Sequence, residues 1–174
     1  DLRNSLYENG VTKVVSIFDE NSTDDSRWHT GHELQKENYE YIIDELFRDK
    51  TYSAVPVGAL YKKGYHTVII APATSNTVVK CALGISDTLP TNMFAQAGKL
   101  EIETIVFACD TEPTVVTESP KEWVELKPRK VEFENLALLK NFTGCTVVET
   151  VNNLHLTLER RLKRFGLNWI EFSS

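Results

Sequence analysis

The chain has 174 residues, 41% hydrophobic and 25% charged, with a formal net charge of −6 at pH 7. That length carries one domain, residues 1–174, with a substantial core, and no apolar run approaches the length of a membrane span. The acidic balance, with no basic stripe interleaved with aromatics, argues against nucleic acid or anionic membranes as main partners.

Residues 1–9 read as the tail of a helix, with Leu2, Leu6 and Tyr7 on one side and Gly10 in a C-cap position. Residues 11–18 are a strand, and residues 16–26 a polar, acidic stretch that starts at its carboxyl end with Ser16. Residues 31–47 have the spacing of a helix with Leu34, Tyr41, Ile42, Leu46 and Phe47 inward. His29 and His32 sit three apart near its start; no third metal ligand is evident, so solvent-facing or capping histidines are the favoured reading and no metal is expected. Residues 49–64 read as a loop with Tyr52, Tyr61 and Tyr65 in or beside it, and loops of that length usually serve function or an interface.

Residues 67–71 form a β-branched apolar run that reads as a strand buried on both faces and ended by Pro72. Ala73, Thr74, Ser75, Asn76 and Thr77 follow, and then Val78, Val79, Ala82, Leu83 and Ile85 at helical spacing. Ligands bind in open α/β sheets where strand ends meet helix N-termini. Free amides and the helix dipole there favour anionic or acceptor-rich groups. Any one of Thr74, Ser75 or Asn76 is explained as an N-cap; four small polar side chains in a row exceed what a cap needs.

Residues 84–87 close that helix, and Asp87 or Thr88 caps a second one over residues 89–98, inside which Thr91 is not explained by capping. Residues 103–108 are another buried strand, with Cys109 and Asp110 at its carboxyl end. Residues 114–117 and 123–126 read as a short protruding hairpin. A helix over 133–142, a strand over 146–148, and a helix over 152–165 with Leu154, Leu158 and Leu162 inward complete the pattern. Arg160, Arg161, Lys163 and Arg164 suit the dipole at the last helix end. Residues 167–174 form a tail whose Trp169 and Phe172 suggest docking. Cys81, Cys109 and Cys145 lack CxxC spacing, which fits reduced thiols in a cytoplasmic protein and no iron–sulfur or zinc site.

The stretch APATSNT followed by KCALGISDTLPTN resembles the "P-A-S/T-A-N-T … G-I-x-D-x-L-x-T" signature of the flavin-binding superfamily that includes cysteine decarboxylases. Within it the chain is most similar to the archaeal flavoproteins grouped with acceptor-type dihydromethanopterin reductases. Residues 47–60, the segment Asp110-Thr111-Glu112 before the hairpin, and Val131-Glu132-Phe133-Glu134-Asn135 carry the likeness further. It covers roughly residues 11–165.

This resemblance implies an α/β, flavodoxin-like (Rossmann-like) three-layer sandwich with a parallel sheet. It implies FMN, with Thr74, Ser75, Asn76 and Thr77 on the ribityl chain and ring edge, Asp87 and Thr91 lining the pocket, and Ser16 at the phosphate. A buried serine bonded to backbone is the equal alternative for Ser16. Ala73, Cys109 and Asp110 join the set from the strand ends, although an inert strand-end thiol explains Cys109 better than a redox one. The family also has a Gly-rich strand–turn that helps hold the phosphate, expected ahead of Asp1 and removed by truncation or loss.

The implied function is electron transfer from a reduced, ferredoxin-like donor to a small-molecule or protein acceptor, including a pterin, by a trimer-based homo-oligomer. One alternative is a flavin-dependent decarboxylase or prenyltransferase; the chain lacks the decarboxylases' "P-x-M-N-x-x-M-W" segment, reading FACDTEPTVVTESPKEWVEL instead. The other is a non-redox interaction module.

Overall fold

The structure, a computed structural model, describes residues 15–18, 45–48, 54–62, 65–118 and 122–166. The chain divides into two compact units, residues 49–150 and a unit formed by residues 1–48 with 151–174. The architecture is mixed α/β and Rossmann-like.

The first 48 residues contribute β1 (Val15–Phe18) and β2 (Glu45–Arg48), which run parallel with Ser16 opposite Leu46. Leu46 and Phe47 therefore lie in a strand and not in a helix: a partner strand decides the backbone of a four-residue segment whose own periodicity is ambiguous. The same unit holds the last helix (Val151–Lys163), with Leu158 and Leu162 buried and Leu154 half-buried. Residues 1–9, His29, His32, Tyr52 and the tail with Trp169 and Phe172 lie outside the described residues.

The larger unit is built on a three-stranded parallel sheet in the order β3 (Thr67–Ala73), β4 (Glu103–Ala108), β7 (Cys145–Val148). β4 is central, and its Thr104, Ile105, Val106 and Ala108 are all buried, as a strand covered on both faces requires. Among the described residues β3 is an edge of this sheet and alternates: Val68 and Ile70 are buried, Ile69 is 43% exposed and Ala71 is exposed, so the expected two-sided burial does not hold within this unit. Pro72 does not end the strand. The ladder breaks between Ile70 and Ala73, where a residue without an N–H is tolerated, and resumes with Ala73 opposite Ala108.

The 49–64 loop contains a short helix, α1 (Ala54–Ala59), followed by a 3₁₀ turn (Leu60–Lys62). Pro56 lies in the first turn of α1, where its missing N–H removes no helical bond. After β3 come α2 (Ser75–Leu83) and α3 (Leu89–Lys99); after β4 comes an antiparallel hairpin, β5 (Val115–Glu118) with β6 (Trp123–Leu126). α4 (Lys130–Leu139) then leads into β7, and the last helix is α5. α2 packs against α4 and buries Val78, Cys81 and Ala82, while Leu83 and Ile85 turn out to solvent. α3 packs on β3, β4 and α1, burying Leu89, Met93 and Ala97. Each fully buried aliphatic side chain here contributes about 1.5–3 kcal/mol relative to exposure.

α4 starts three residues earlier than its apolar spacing suggests. Arg129 is its N-cap, and the Glu132 carboxylate accepts from the Arg129 amide and from its guanidinium at 2.7 Å and 3.1 Å. This capping box fixes the first turn. Those hydrogen bonds hold the Glu132 carboxyl below its usual range.

Candidate functional site

The site forms at the carboxyl ends of β3 and β4. The Cys109 amide donates to the Ala73 carbonyl at 2.8 Å, which ties the two strand ends together where both chains leave the sheet. Ala73 is fully buried, and directly above it the backbone turns into α2. Thr74 is the N-cap, with extended backbone (φ −65°, ψ 161°), and its hydroxyl accepts from the Thr77 amide at 3.4 Å. The Thr77 hydroxyl lies 3.3 Å from that of Thr74. Two of the four polar side chains are thus engaged in ending the helix.

The other two are not. Neither Ser75 nor Asn76 makes a side-chain hydrogen bond among the described residues, and Asn76 is exposed. Gly84 closes α2 at φ 72°, a left-handed conformation that glycine adopts without a Cβ clash, and the Ile85 amide donates to Lys80 at 2.8 Å. α2 is therefore a well-closed helix whose first-turn amides face the strand ends.

On the β4 side, Asp110 has φ 56°, an uncommon conformation for a residue with a Cβ and one most often seen at Asn and Asp. It redirects the chain at the mouth of the site, and the Asp110 side chain has no hydrogen bond or ion pair among the described residues. Burial, and then the Asp110 carboxylate, push the Cys109 thiol above its usual range, so it stays protonated at neutral pH. That agrees with an inert strand-end thiol. What the site offers is a set of hydroxyl, amide and carboxylate groups around a helix N-terminus: donors and acceptors for a polyol or a heterocycle edge.

Asp87 and Thr91 come after α2 in the chain, and each has a local partner. The nine residues of α2, a rise of about 13 Å at 1.5 Å per residue, lie between Thr74 and the turn that leads to them. Asp87 pairs with Lys80 at 2.9 Å, and Thr88 is the cap of α3. Thr91, 1% exposed, completes a capping box: the Thr88 amide donates to its hydroxyl at 3.1 Å, and the hydroxyl lies 3.1 Å from the Thr88 carbonyl as donor. Capping does explain Thr91, contrary to the expectation from its position inside the helix. The T-x-x-T spacing carried that signal.

Ser16 is the second residue of β1, in the other compact unit. Tyr61 is exposed and donates to Gln96 Oε1 at 2.7 Å, and Tyr65 is half-buried. Among the described residues no group of three or more His, Cys, Asp or Glu is placed to hold a metal ion, and no helix is long and apolar enough to cross a membrane. The sequence reading missed a cavity of about 300 Å³ at the opposite end of the sheet, lined by segments too far apart in the chain for any motif to link.

A solved structure with 58% sequence identity is that of Burkholderia xenovorans DmrB in complex with FMN, described as a cubic protein cage for redox transfer. It covers 74% of this chain and 71% of that one, with a TM-score of 0.68. The acceptor-type dihydromethanopterin reductase of Methanosarcina mazei is 38% identical over 80 residues, 45% of this chain and 34% of the reductase. A dodecameric FMN-dependent Ubix-like decarboxylase from Escherichia coli O157:H7 matches 99% of this chain and 88% of its own at TM-score 0.59 and 16% identity, which shows the fold alone. The chain spans between 31% and 59% of the length of the curated relatives it matches. The Flavoprotein family model matches residues 8–161, most of the chain, and the chain belongs to that family.

Proposed function

We propose that the protein binds FMN at the carboxyl ends of β3 and β4 and acts in redox transfer. The carrying observation is the pair Ser75 and Asn76, without hydrogen-bond partners among the described residues on a helix N-terminus that Thr74 already caps, in a chain 58% identical to an FMN-complexed redox protein. The residues present fit the cofactor. Ser75, Asn76 and Thr77 suit ribityl hydroxyls and the ring edge, the Asp110 carboxylate suits a ring N–H or a ribityl hydroxyl, and the first-turn amides of α2 suit an oxyanion.

Bound FMN supplies the redox chemistry, accepting and giving one or two electrons. The chain's own residues bind and orient it, and Cys109 stays a neutral thiol that adds no charge beside the ring. The donor is a reduced ferredoxin-like protein and the acceptor a small molecule of the pterin type or a protein. Support comes from the reductase relatives and from the redox transfer named for DmrB. The working form is a homo-oligomer built on trimers, and Ser16 meets the phosphate in the assembled site.

Anaerobic addition of reduced ferredoxin to the FMN-loaded protein tests this reading. Bleaching of the visible flavin bands, reversed by a dihydropterin-forming acceptor, is expected. Bands that do not respond to any low-potential donor contradict the electron-transfer role.

A further inference from the structure

At the amino end of the sheet, the cavity of about 300 Å³ lies between the end of α2, α3, and the starts of β4 and β7. Thr104 lies in its wall and Cys109 five residues along β4, about 16 Å from it at 3.3 Å per residue, so this cavity is separate from the flavin site. One part of its wall is apolar: Phe94 and Phe142 meet with ring centroids 6.3 Å apart and planes tilted by 39°, and the Cys81 and Cys145 thiols line the same cavity.

Ser86, Thr91, Thr104, Thr143 and Lys99 interrupt that wall, and the Thr91 hydroxyl is already bonded to Thr88. Thr104 is 2% exposed, and its hydroxyl makes no hydrogen bond among the described residues. Buried polar groups are otherwise paired, so an orphan hydroxyl facing a cavity calls for a partner inside it. Lys99, on the exposed last turn of α3, lines the same cavity and makes no ion pair among the described residues. Aromatic walls, a buried hydroxyl and a cation at the edge define one ligand class.

We propose that this cavity is a second binding site, for a small aromatic anion whose ring lies against Phe94 and Phe142 and whose charged group meets Lys99. The test uses the full chain loaded with FMN and 4-fluorobenzoate as probe, read by fluorine NMR line broadening of the ligand. Saturable broadening with about one site per chain is expected, and weaker binding of the neutral 4-fluorobenzyl alcohol.

Gly98 lines the cavity on the exposed side of α3, and a Cβ there meets nothing within 4 Å, so Gly98→Leu adds an apolar side chain at the rim and weakens binding. Thr104→Val weakens it about fivefold, one hydrogen bond's worth. Lys99→Gln weakens it about threefold, an exposed ion pair's worth. Circular dichroism and the visible flavin spectrum stay unchanged in all three variants, which separates loss of this site from loss of fold or of cofactor. No saturable broadening with the wild-type chain, equal binding by Gly98→Leu, or release of FMN by the probe overturns the proposal.

Discussion

The two ends of the β3–β4–β7 sheet use the same side chains in opposite ways. At the carboxyl end, Thr74 caps α2, and its neighbours Ser75 and Asn76 have no side-chain hydrogen bond among the described residues. At the amino end, Thr88 and Thr91 lock onto each other and Thr91 disappears into the core. Asp110 at the first end, in a left-handed turn, has no hydrogen bond or ion pair among the described residues, whereas Asp87 at the second is held by Lys80. Small polar residues follow a strand or helix end in both places. What distinguishes a ligand site from a structural cap is whether the hydrogen bonds are already satisfied.

The largest effect that blurs this comparison is loss of the strand joining both ends. Ile105 is fully buried at the centre of β4, and Ile105→Ala should cost about 2–5 kcal/mol, read as a shift in denaturation midpoint with unchanged slope. A shift below 1 kcal/mol would show that the sheet is not the core of the unit.

Next, Asn76→Leu should weaken FMN binding by about tenfold or more, roughly 1.4 kcal/mol, because an apolar group replaces a hydrogen-bonding one in the site. Its melting temperature should barely move, since Thr74 is the cap. Thr91→Val should do the reverse, losing about 1 kcal/mol of stability from the capping box with FMN affinity unchanged. A flavin affinity that drops with Thr91→Val would return Thr91 to the binding set.

The amino end also carries a pH signature. Burial, and then proximity to Cys145, push the Cys81 thiol from 9.0 up to about 12, and burial pushes Cys145 up to about 11. A raised pKa means the folded state favours the protonated form, so this contribution is whole below pH 9 and is lost as pH rises toward 12. Stability measured between pH 8 and 11 should fall, and the fall should flatten in Cys81→Ala. An equal slope in that variant would assign the alkaline loss to other groups.

The smallest effect concerns Asp87. Its pair with Lys80 is exposed, so Asp87→Asn should change stability by no more than about 0.5 kcal/mol. FMN affinity should hold as well; a loss specific to the assembled oligomer would place Asp87 against a neighbouring chain's flavin.

Much of this was legible in the chain itself. The strand–polar turn–helix over residues 67–83 shows its ligand end because β-branched runs, turn residues and helical spacing are local signals. The family motif extended correctly to the fold. The residues grouped by that motif were harder to sort, because 73–77 and 87–91 are close in sequence while a nine-residue helix holds them at opposite ends of the sheet. The strand at Leu46 and Phe47 escaped because pairing with β1, and not local pattern, determines it. The cavity escaped because Cys81, Phe94, Thr104 and Cys145 come together only in three dimensions. Ile69 escaped because an apolar run cannot say which of its residues sit on an open sheet face.

The most direct test of the central claim is an equilibrium titration of the apo-protein with FMN, read by quenching of flavin fluorescence, for the wild-type chain, Asn76→Leu and Thr91→Val side by side. The account predicts one FMN per chain for wild type and Thr91→Val with equal affinity, and at least tenfold weaker binding for Asn76→Leu. Absence of quenching in the wild-type chain, or equal affinity in Asn76→Leu, would contradict a flavin site at the carboxyl ends of β3 and β4.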